Sequence, residues 1–176
     1  MTSHLVLGGA RSGKSAFAQA AAEAHAARTG GRLVMIATAQ AFDAEMQDRI
    51  ARHRLDRGDS WTTLEAPSAL AESLDGLGAN DVVVVDCLTL WLSNLMLADR
   101  DVAAASSALL SAVGRFAGAL WLVSNEVGFG IVPENPLARR FRDEAGRLHQ
   151  TLAQAVEAVT LVVAGLPLKV KAEKLP

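Results

Sequence analysis

The chain has a single cysteine, Cys87, among its 176 residues, which excludes an internal disulfide framework and suits a reducing cytosol. It has no surplus of positive charge. Seventeen Lys and Arg stand against 19 Asp and Glu, giving a formal net charge of −2, so the basic balance of a general nucleic-acid binder is missing. No apolar run is long enough to cross a bilayer, although 51% of the residues are hydrophobic. There is no internal repeat, low-complexity tract or linker, and the first strand begins so close to Met1 that no signal peptide is expected ahead of it. What remains is a single domain over residues 1–176, able to bury a proper core and expected in the cytoplasm.

The apolar runs that are present, around residues 82–85, 117–123 and 159–168, have the length of buried strands. Continuous Val/Ile/Leu stretches are what a parallel sheet covered on both faces requires. The pattern predicts strands at 5–7, 33–37, 61–64, 82–85, 120–123 and 161–164. Helices are expected at about 14–27, 43–57, after Pro67-Ser68, near 88–97 and 102–116, and over 137–158. Gly30-Gly31 ends the first helix, and Pro167 is expected to turn the chain into a closing hairpin strand at 168–170. Strands alternating with helices specify an α/β fold with a parallel sheet, whose ligands bind at the carboxyl ends of the strands.

One such end carries Gly8, Gly9, Ala10, Arg11, Ser12, Gly13, Lys14 and Ser15, which fit Gly, four residues, Gly-Lys-Ser between an apolar strand and an alanine-rich helix. This is the context a phosphate-binding loop needs. Glycines let successive N–H groups turn inward on phosphate oxygens, and the helix dipole adds partial positive charge. Lys14 would reach the β- and γ-phosphates, and the Ser15 hydroxyl would ligate Mg²⁺. Four valines followed by Asp86 form a plausible partner element, a carboxylate leaving a buried strand to hold Mg²⁺ directly or through water.

His53 lies among Arg49, Arg52, Arg54 and Arg57. A histidine on a polar helix is ordinarily solvated, and the arginines can be either a solvated face or an anion-binding surface. Neutral imidazole is nevertheless a competent nucleophile towards phosphorus, guanidinium groups bind phosphate bidentately, and neighbouring cations keep the ring unprotonated near neutral pH. His4, His25 and His149 lack that company and read as structural or exposed. Glu65 can receive a ribose hydroxyl or simply face water. The stretch 124–136, beginning Ser124-Asn125-Glu126, is too polar and glycine-rich to be mere connection after a core strand. Trp91 and Trp121, among apolar neighbours, read as core.

Taken together, the phosphate loop, Ile36-Ala37-Thr38-Ala39-Gln40, Asp43-Ala44-Glu45-Met46, Arg49-Ile50 with His53-Arg54, and Asn125-Glu126-Val127-Gly128 through Pro133-Glu134-Asn135 resemble one family. It is the bifunctional adenosylcobinamide kinase/adenosylcobinamide-phosphate guanylyltransferase family of cobalamin biosynthesis. The helix from Arg139 to Gln150 and Val162-Val163-Ala164-Gly165-Leu166-Pro167 extend the likeness over essentially the whole chain. The resemblance implies a P-loop NTPase of RecA-like type, a mostly parallel sheet flanked by helices with a C-terminal hairpin strand. It implies ATP, GTP and Mg²⁺ as cofactors, and adenosylcobinamide and adenosylcobinamide phosphate as substrates.

The first implied reaction phosphorylates the substrate's aminopropanol hydroxyl. The second loads GMP from GTP onto a histidine and passes it on to give adenosylcobinamide-GDP. Some members carry two adjacent histidines in this helix; here the first position is Arg52, so the resemblance gives His53 the role of GMP-carrying nucleophile. It further implies nucleotide contacts from the phosphate loop, Ile36, Ala37, Thr38, Arg54, Leu55, Asp56, Arg57, Glu65 and Asp86, and a homotrimer; from the charge balance and run lengths, no nucleic-acid partner and no membrane span are expected. Attack at the γ-phosphorus in one step and the α-phosphorus in the other requires two nucleotide poses or movement of the His53 helix. The residues alone leave another class open, a P-loop ATPase coupling hydrolysis to nucleic-acid binding or motion; the acidic balance, the lack of a basic arm and the small size stand against it.

Overall fold

The computed structural model describes residues 2–40 and 60–172. Its first strand, β1 (Thr2–Gly8), leads through the glycine-rich loop into α1 (Lys14–Thr29), which ends where Gly30 adopts φ 72° and donates its N–H to Ala26 O. β2 (Arg32–Ala37) and β3 (Thr62–Glu65) follow, then α2 (Leu70–Asp75), β4 (Asp81–Asp86), α3 (Leu88–Leu97) and α4 (Val102–Arg115). The chain closes with β5 (Ala119–Asn125), α5 (Pro136–Ala155), β6 (Ala158–Val163) and β7 (Leu166–Lys171). The region 41–59, with the expected helix over 43–57, lies outside the described residues.

Among the described residues, seven strands form one sheet in the order β3-β2-β4-β5-β1-β6-β7, parallel except for the β6–β7 hairpin. The mostly parallel sheet with a C-terminal hairpin strand is therefore as the sequence reading has it. In β4 the side chains of Val82, Val83, Val84 and Val85 are all essentially inaccessible, the burial that a central strand covered on both faces demands. Alternate residues then divide between two cores. Leu5, Ile36, Val83, Val85, Leu120 and Leu122 pack with Leu70, Leu74, Trp91, Leu92, Leu109, Leu148 and Leu152 from α2 to α5. Val6, Met35, Val82, Val84, Trp121 and Val123 face Ala18, Ala22 and Ala26 of α1, whose small side chains bring that helix close to the sheet. Each wholly buried leucine contributes about 1.5–3 kcal/mol relative to exposure.

Local chemistry sets the ends of the long helix. Asn135 Oδ1 accepts from the N–H groups of Leu137 (2.8 Å) and Ala138 (3.2 Å), and Pro136 occupies the first turn, where its missing N–H costs nothing. At the other end Lys171 Nζ donates to the carbonyls of Ala153, Gln154 and Val156, placing a cation at the negative end of the helix dipole.

Two boundaries differ from the sequence reading. The helix stops at Ala155 and β6 begins at Ala158, because Val156 leaves the helical conformation and the Glu157 N–H joins Ser3 O at 2.9 Å. The hairpin turn is Ala164-Gly165, at φ 50° and 81°, rather than Pro167, which lies within β7. Two adjacent residues at positive φ match the twist of a tight hairpin, and proline is tolerated on an edge strand.

Candidate nucleotide-binding site

The glycine-rich loop is shaped by contacts that only small residues allow. A Cβ on Gly8 would come within 2.4 Å of Ser12 Oγ and 2.6 Å of Val162 O. Arg11 and Gly13 sit in the left-handed region at φ 56° and 93°, which turns successive N–H groups towards one concavity. Ser12 N–H closes the turn on Gly9 O at 3.3 Å. Lys14 is folded back over the loop and donates from Nζ to Gly9 O at 3.2 Å while remaining almost wholly buried. Among the described residues the buried Ser12 hydroxyl has no hydrogen-bond partner. Ser15, in the first turn of α1, is half-buried.

Strand register sets the rest of the edge. Gly8 lies opposite Asn125, and Asp86 lies opposite Val123 on one side and Ala37 on the other, with Glu65 next to Ala37. β5 therefore ends between the phosphate loop and Asp86, whose side chain is half-buried. Thr38 secures that second strand end. Its Oγ1 donates to Cys87 O at 2.7 Å and accepts from Cys87 N at 2.8 Å, and Asn94 Nδ2 donates to Thr38 O at 2.8 Å. Cys87 itself is buried, its thiol pushed up first by burial and then by the charge of Asp86.

The sequence-derived residues thus divide. Gly8, Gly9, Ala10, Arg11, Ser12, Gly13, Lys14 and Ser15 form one loop, and Ala37, Asp86 and Glu65 share a row at the carboxyl edge. Ile36 is wholly in the core and Thr38 is wholly buried, its hydroxyl committed to Cys87, so their side chains act on the strand ends. Glu65 is exposed at the end of β3. His53, Arg54, Leu55, Asp56 and Arg57 lie outside the described residues.

Among the other histidines, His4 stacks on Trp121 at 5.3 Å between centroids and His25 meets the same indole edge-on at 5.6 Å, which are structural positions. His149 is different. Its Nε2 lies 2.7 Å from Ser124 Oγ, and its Nδ1 faces Glu126 Oε2 at 3.8 Å. Sequence reasoning gave it no partner. The available signal was helical periodicity, since Ala145, Leu148, His149 and Leu152 form the buried stripe of α5.

Among the described residues, no group of three or more His, Cys, Asp or Glu is placed to hold a metal unaided. Mg²⁺ does not need one; it is ordinarily bound by one or two protein oxygens together with substrate phosphates. Ser15 in the first turn of α1 and Asp86 two strands from the loop on the same sheet edge are oxygen donors of the type that set needs.

A glycine-rich cradle at the carboxyl end of β1, a helix N-terminus beneath it and a carboxylate two strands away define a P-loop nucleotide-binding α/β protein. Residues 4–170 match the cobinamide kinase / cobinamide phosphate guanyltransferase family, and the chain belongs to that family. It is 51% identical over 174 residues to the bifunctional adenosylcobalamin biosynthesis protein CobP of Pseudomonas aeruginosa, covering 97% of this chain and 98% of that protein. The bifunctional adenosylcobalamin biosynthesis protein CobU of Escherichia coli K12 is 40% identical over 183 residues, covering 95% and 98% respectively, as is its counterpart from Salmonella typhimurium.

Proposed function

We propose that this protein phosphorylates adenosylcobinamide with ATP or GTP and then transfers GMP from GTP, through a guanylylated His53, to give adenosylcobinamide-GDP. The observation that carries this reading is the family match over residues 4–170, supported by a glycine-rich loop that leads into a helix N-terminus with Lys14 drawn over it. In the first step the cobinamide hydroxyl displaces a nucleoside diphosphate from the γ-phosphorus. In the second, a ring nitrogen of His53 bonds to the α-phosphorus of GTP, the bridging P–O bond breaks and pyrophosphate leaves. A phosphate oxygen of adenosylcobinamide phosphate then attacks the GMP phosphorus and frees the imidazole. Dividing the transfer in this way replaces a reaction between two large anions by two displacements.

The chain's groups serve both steps by neutralising phosphate. The loop N–H groups and the unpartnered Ser12 hydroxyl donate to phosphate oxygens, and Lys14 spans the β- and γ-groups. Ser15 and Asp86 would hold Mg²⁺, which when bound supplies further charge neutralisation. Ala37, Glu65, Arg54, Leu55, Asp56 and Arg57 complete the nucleotide contacts, with Ile36 and Thr38 supporting them from within the strand.

A homotrimer is part of the same reading. The edge strand β7 exposes Leu166 (73%), Leu168 (59%) and Val170 (63%), and the β5–α5 loop exposes Phe129 (82%) and Ile131 (97%), apolar side chains that subunit contacts would cover. The buried free thiol of Cys87 supports a reducing, cytoplasmic setting.

The deciding experiment is incubation with labelled GTP. An acid-labile, base-stable GMP adduct on the peptide bearing His53, absent from His53→Ala, is the expected result. Wild-type protein that phosphorylates cobinamide yet takes up no label would reduce the function to the kinase step.

A further inference from the structure

β5 ends between the strands that carry the phosphate loop and Asp86, and what it presents there is Ser124, Asn125 and then Glu126. The Glu126 N–H donates to Gly8 O at 3.0 Å, so this residue is bonded to the first position of the phosphate loop. Its carboxylate is hydrogen-bonded at one oxygen and has a buried ring beside the other. Oε1 accepts the Gly128 N–H at 2.6 Å, and Oε2 faces His149 Nδ1 at 3.8 Å. His149 is in turn joined at Nε2 to Ser124 Oγ.

A serine, a histidine and a carboxylate in series raise the possibility of a nucleophilic hydroxyl, and burial excludes it. Ser124 has no exposed surface, whereas the Glu126 side chain keeps 18% of its own. The accessible end is the carboxylate, so the series serves Glu126. When the Ser124 O–H donates to Nε2, the ring proton sits on Nδ1 and points at Oε2; the other tautomer would set a lone pair against a carboxylate. Burial holds His149 below its ordinary pKa while Glu126 opposes that shift, so the ring stays a neutral donor. A glutamate that merely capped its loop would need the Gly128 contact alone. It would have no use for a buried imidazole from α5 behind its second oxygen.

We propose that Glu126 is the general base of the kinase step and that His149 is its positioning residue. This rests on the function proposed above. The acceptor hydroxyl oxygen bonds to the γ-phosphorus, the bond from that phosphorus to the β,γ-bridging oxygen breaks with its electron pair leaving on the nucleoside diphosphate, and the hydroxyl proton passes to the Glu126 carboxylate and thence to water. Guanylylation of His53 has no hydroxyl to deprotonate, because the imidazole attacks through its own lone pair. Loss of Glu126 therefore separates the two activities.

The test compares wild type, Glu126→Gln, Glu126→Asp and His149→Gln in the full chain, assaying cobinamide phosphorylation and GTP labelling in parallel. Glu126→Gln is expected to lower kinase kcat by about 10²–10⁴-fold, the usual span for a lost base, with nucleotide KM and GMP labelling near wild type. Glu126→Asp recovers part of that rate. His149→Gln keeps a partner for Ser124 but removes the imidazole behind Oε2, so kinase kcat falls by about tenfold with nucleotide KM and GMP labelling near wild type. Wild-type phosphorylation by Glu126→Gln, or an equal fall in both activities, would overturn the assignment. A wild-type protein inactive on cobinamide would instead overturn the kinase reading beneath it.

Discussion

The N–H of Gly165 donates to the carbonyl of Ser12 at 2.8 Å, which makes the turn between β6 and β7 a wall of the phosphate loop. A Cβ built on Gly13 would meet Gly165 Cα at 3.3 Å, so the two backbones touch with no side chain between them. The C-terminal hairpin is thereby coupled to the loop proposed to hold the nucleotide, although none of its own side chains is a candidate ligand.

Replacing Gly165 by alanine tests that coupling. At φ 81° a Cβ costs about 1–2 kcal/mol, and no neighbouring atom lies within 4 Å to add a clash. Urea denaturation is expected to show that loss, and nucleotide KM is expected to rise severalfold as the turn relaxes away from Ser12. Gly30→Ala is the control. Gly30 has φ 72° and equally open surroundings but lies at the far end of α1, so it should lose similar stability with nucleotide KM unchanged.

Thr38→Val removes a hydroxyl and keeps the shape. It removes the two bonds that the Cys87 main chain makes to the threonine hydroxyl and leaves the buried Cys87 N–H unsatisfied, a loss of about 1–3 kcal/mol, while Cys87 O keeps the Trp91 N–H. Because Cys87 follows Asp86 directly, the variant is also expected to need more Mg²⁺ for half-maximal activity. A Mg²⁺ titration at saturating nucleotide reads that shift, and an unchanged titration would confine Thr38 to stability.

The elements of this fold were largely legible because each is written in local chemistry. Continuous valine marks β4, glycine at positive φ ends α1, and Asn135-Pro136 opens α5. The phosphate loop was legible for the same reason. What escaped depends on packing between distant segments. Thr38 meets Cys87 only because β2 and β4 are neighbours, and strand order is not written in either strand. His149 finds Ser124 only when the buried stripe of α5 lies on β5. The Ala164-Gly165 turn escaped because an alanine at φ 50° is an uncommon choice, whereas Pro167 looked like the punctuation.

His149 also gives the protein a signed pH dependence. Burial lowers its pKa in the folded state, against a partial counter-effect from Glu126, and His25 is lowered too, by burial first and then by Arg28. The unfolded chain therefore binds more protons than the folded one between the lowered values and about 6.5, the ordinary histidine pKa. Stability conferred by the neutral rings is complete above that pH and is lost as pH falls through the folded values. Thermal unfolding from pH 7.5 down to 5 should show a falling Tm, with a shallower slope for His149→Gln and the remainder carried by His25 and other groups. An identical slope would mean that His149 titrates in the fold as it does in water.

Lys14→Met separates the role of the ammonium group from that of its stem. Lys14 is almost wholly buried, and among the described residues its ammonium group donates to one neutral carbonyl, Gly9 O, so the apo protein gains little from keeping a cation there. Methionine fills similar volume without the desolvation cost, and the variant is expected to unfold at the same denaturant concentration as wild type or a higher one. Nucleotide affinity should move the opposite way. Each charge-assisted bond to phosphate contributes about 1.5–3 kcal/mol, or roughly ten- to 150-fold in Kd. In the proposed function Lys14 serves the triphosphate in both steps, so cobinamide phosphorylation and GMP labelling should fall together, in contrast to the separation expected for Glu126→Gln. A Lys14→Met protein that is stable, binds GTP as wild type does and retains either activity would show that the loop works through its main chain alone.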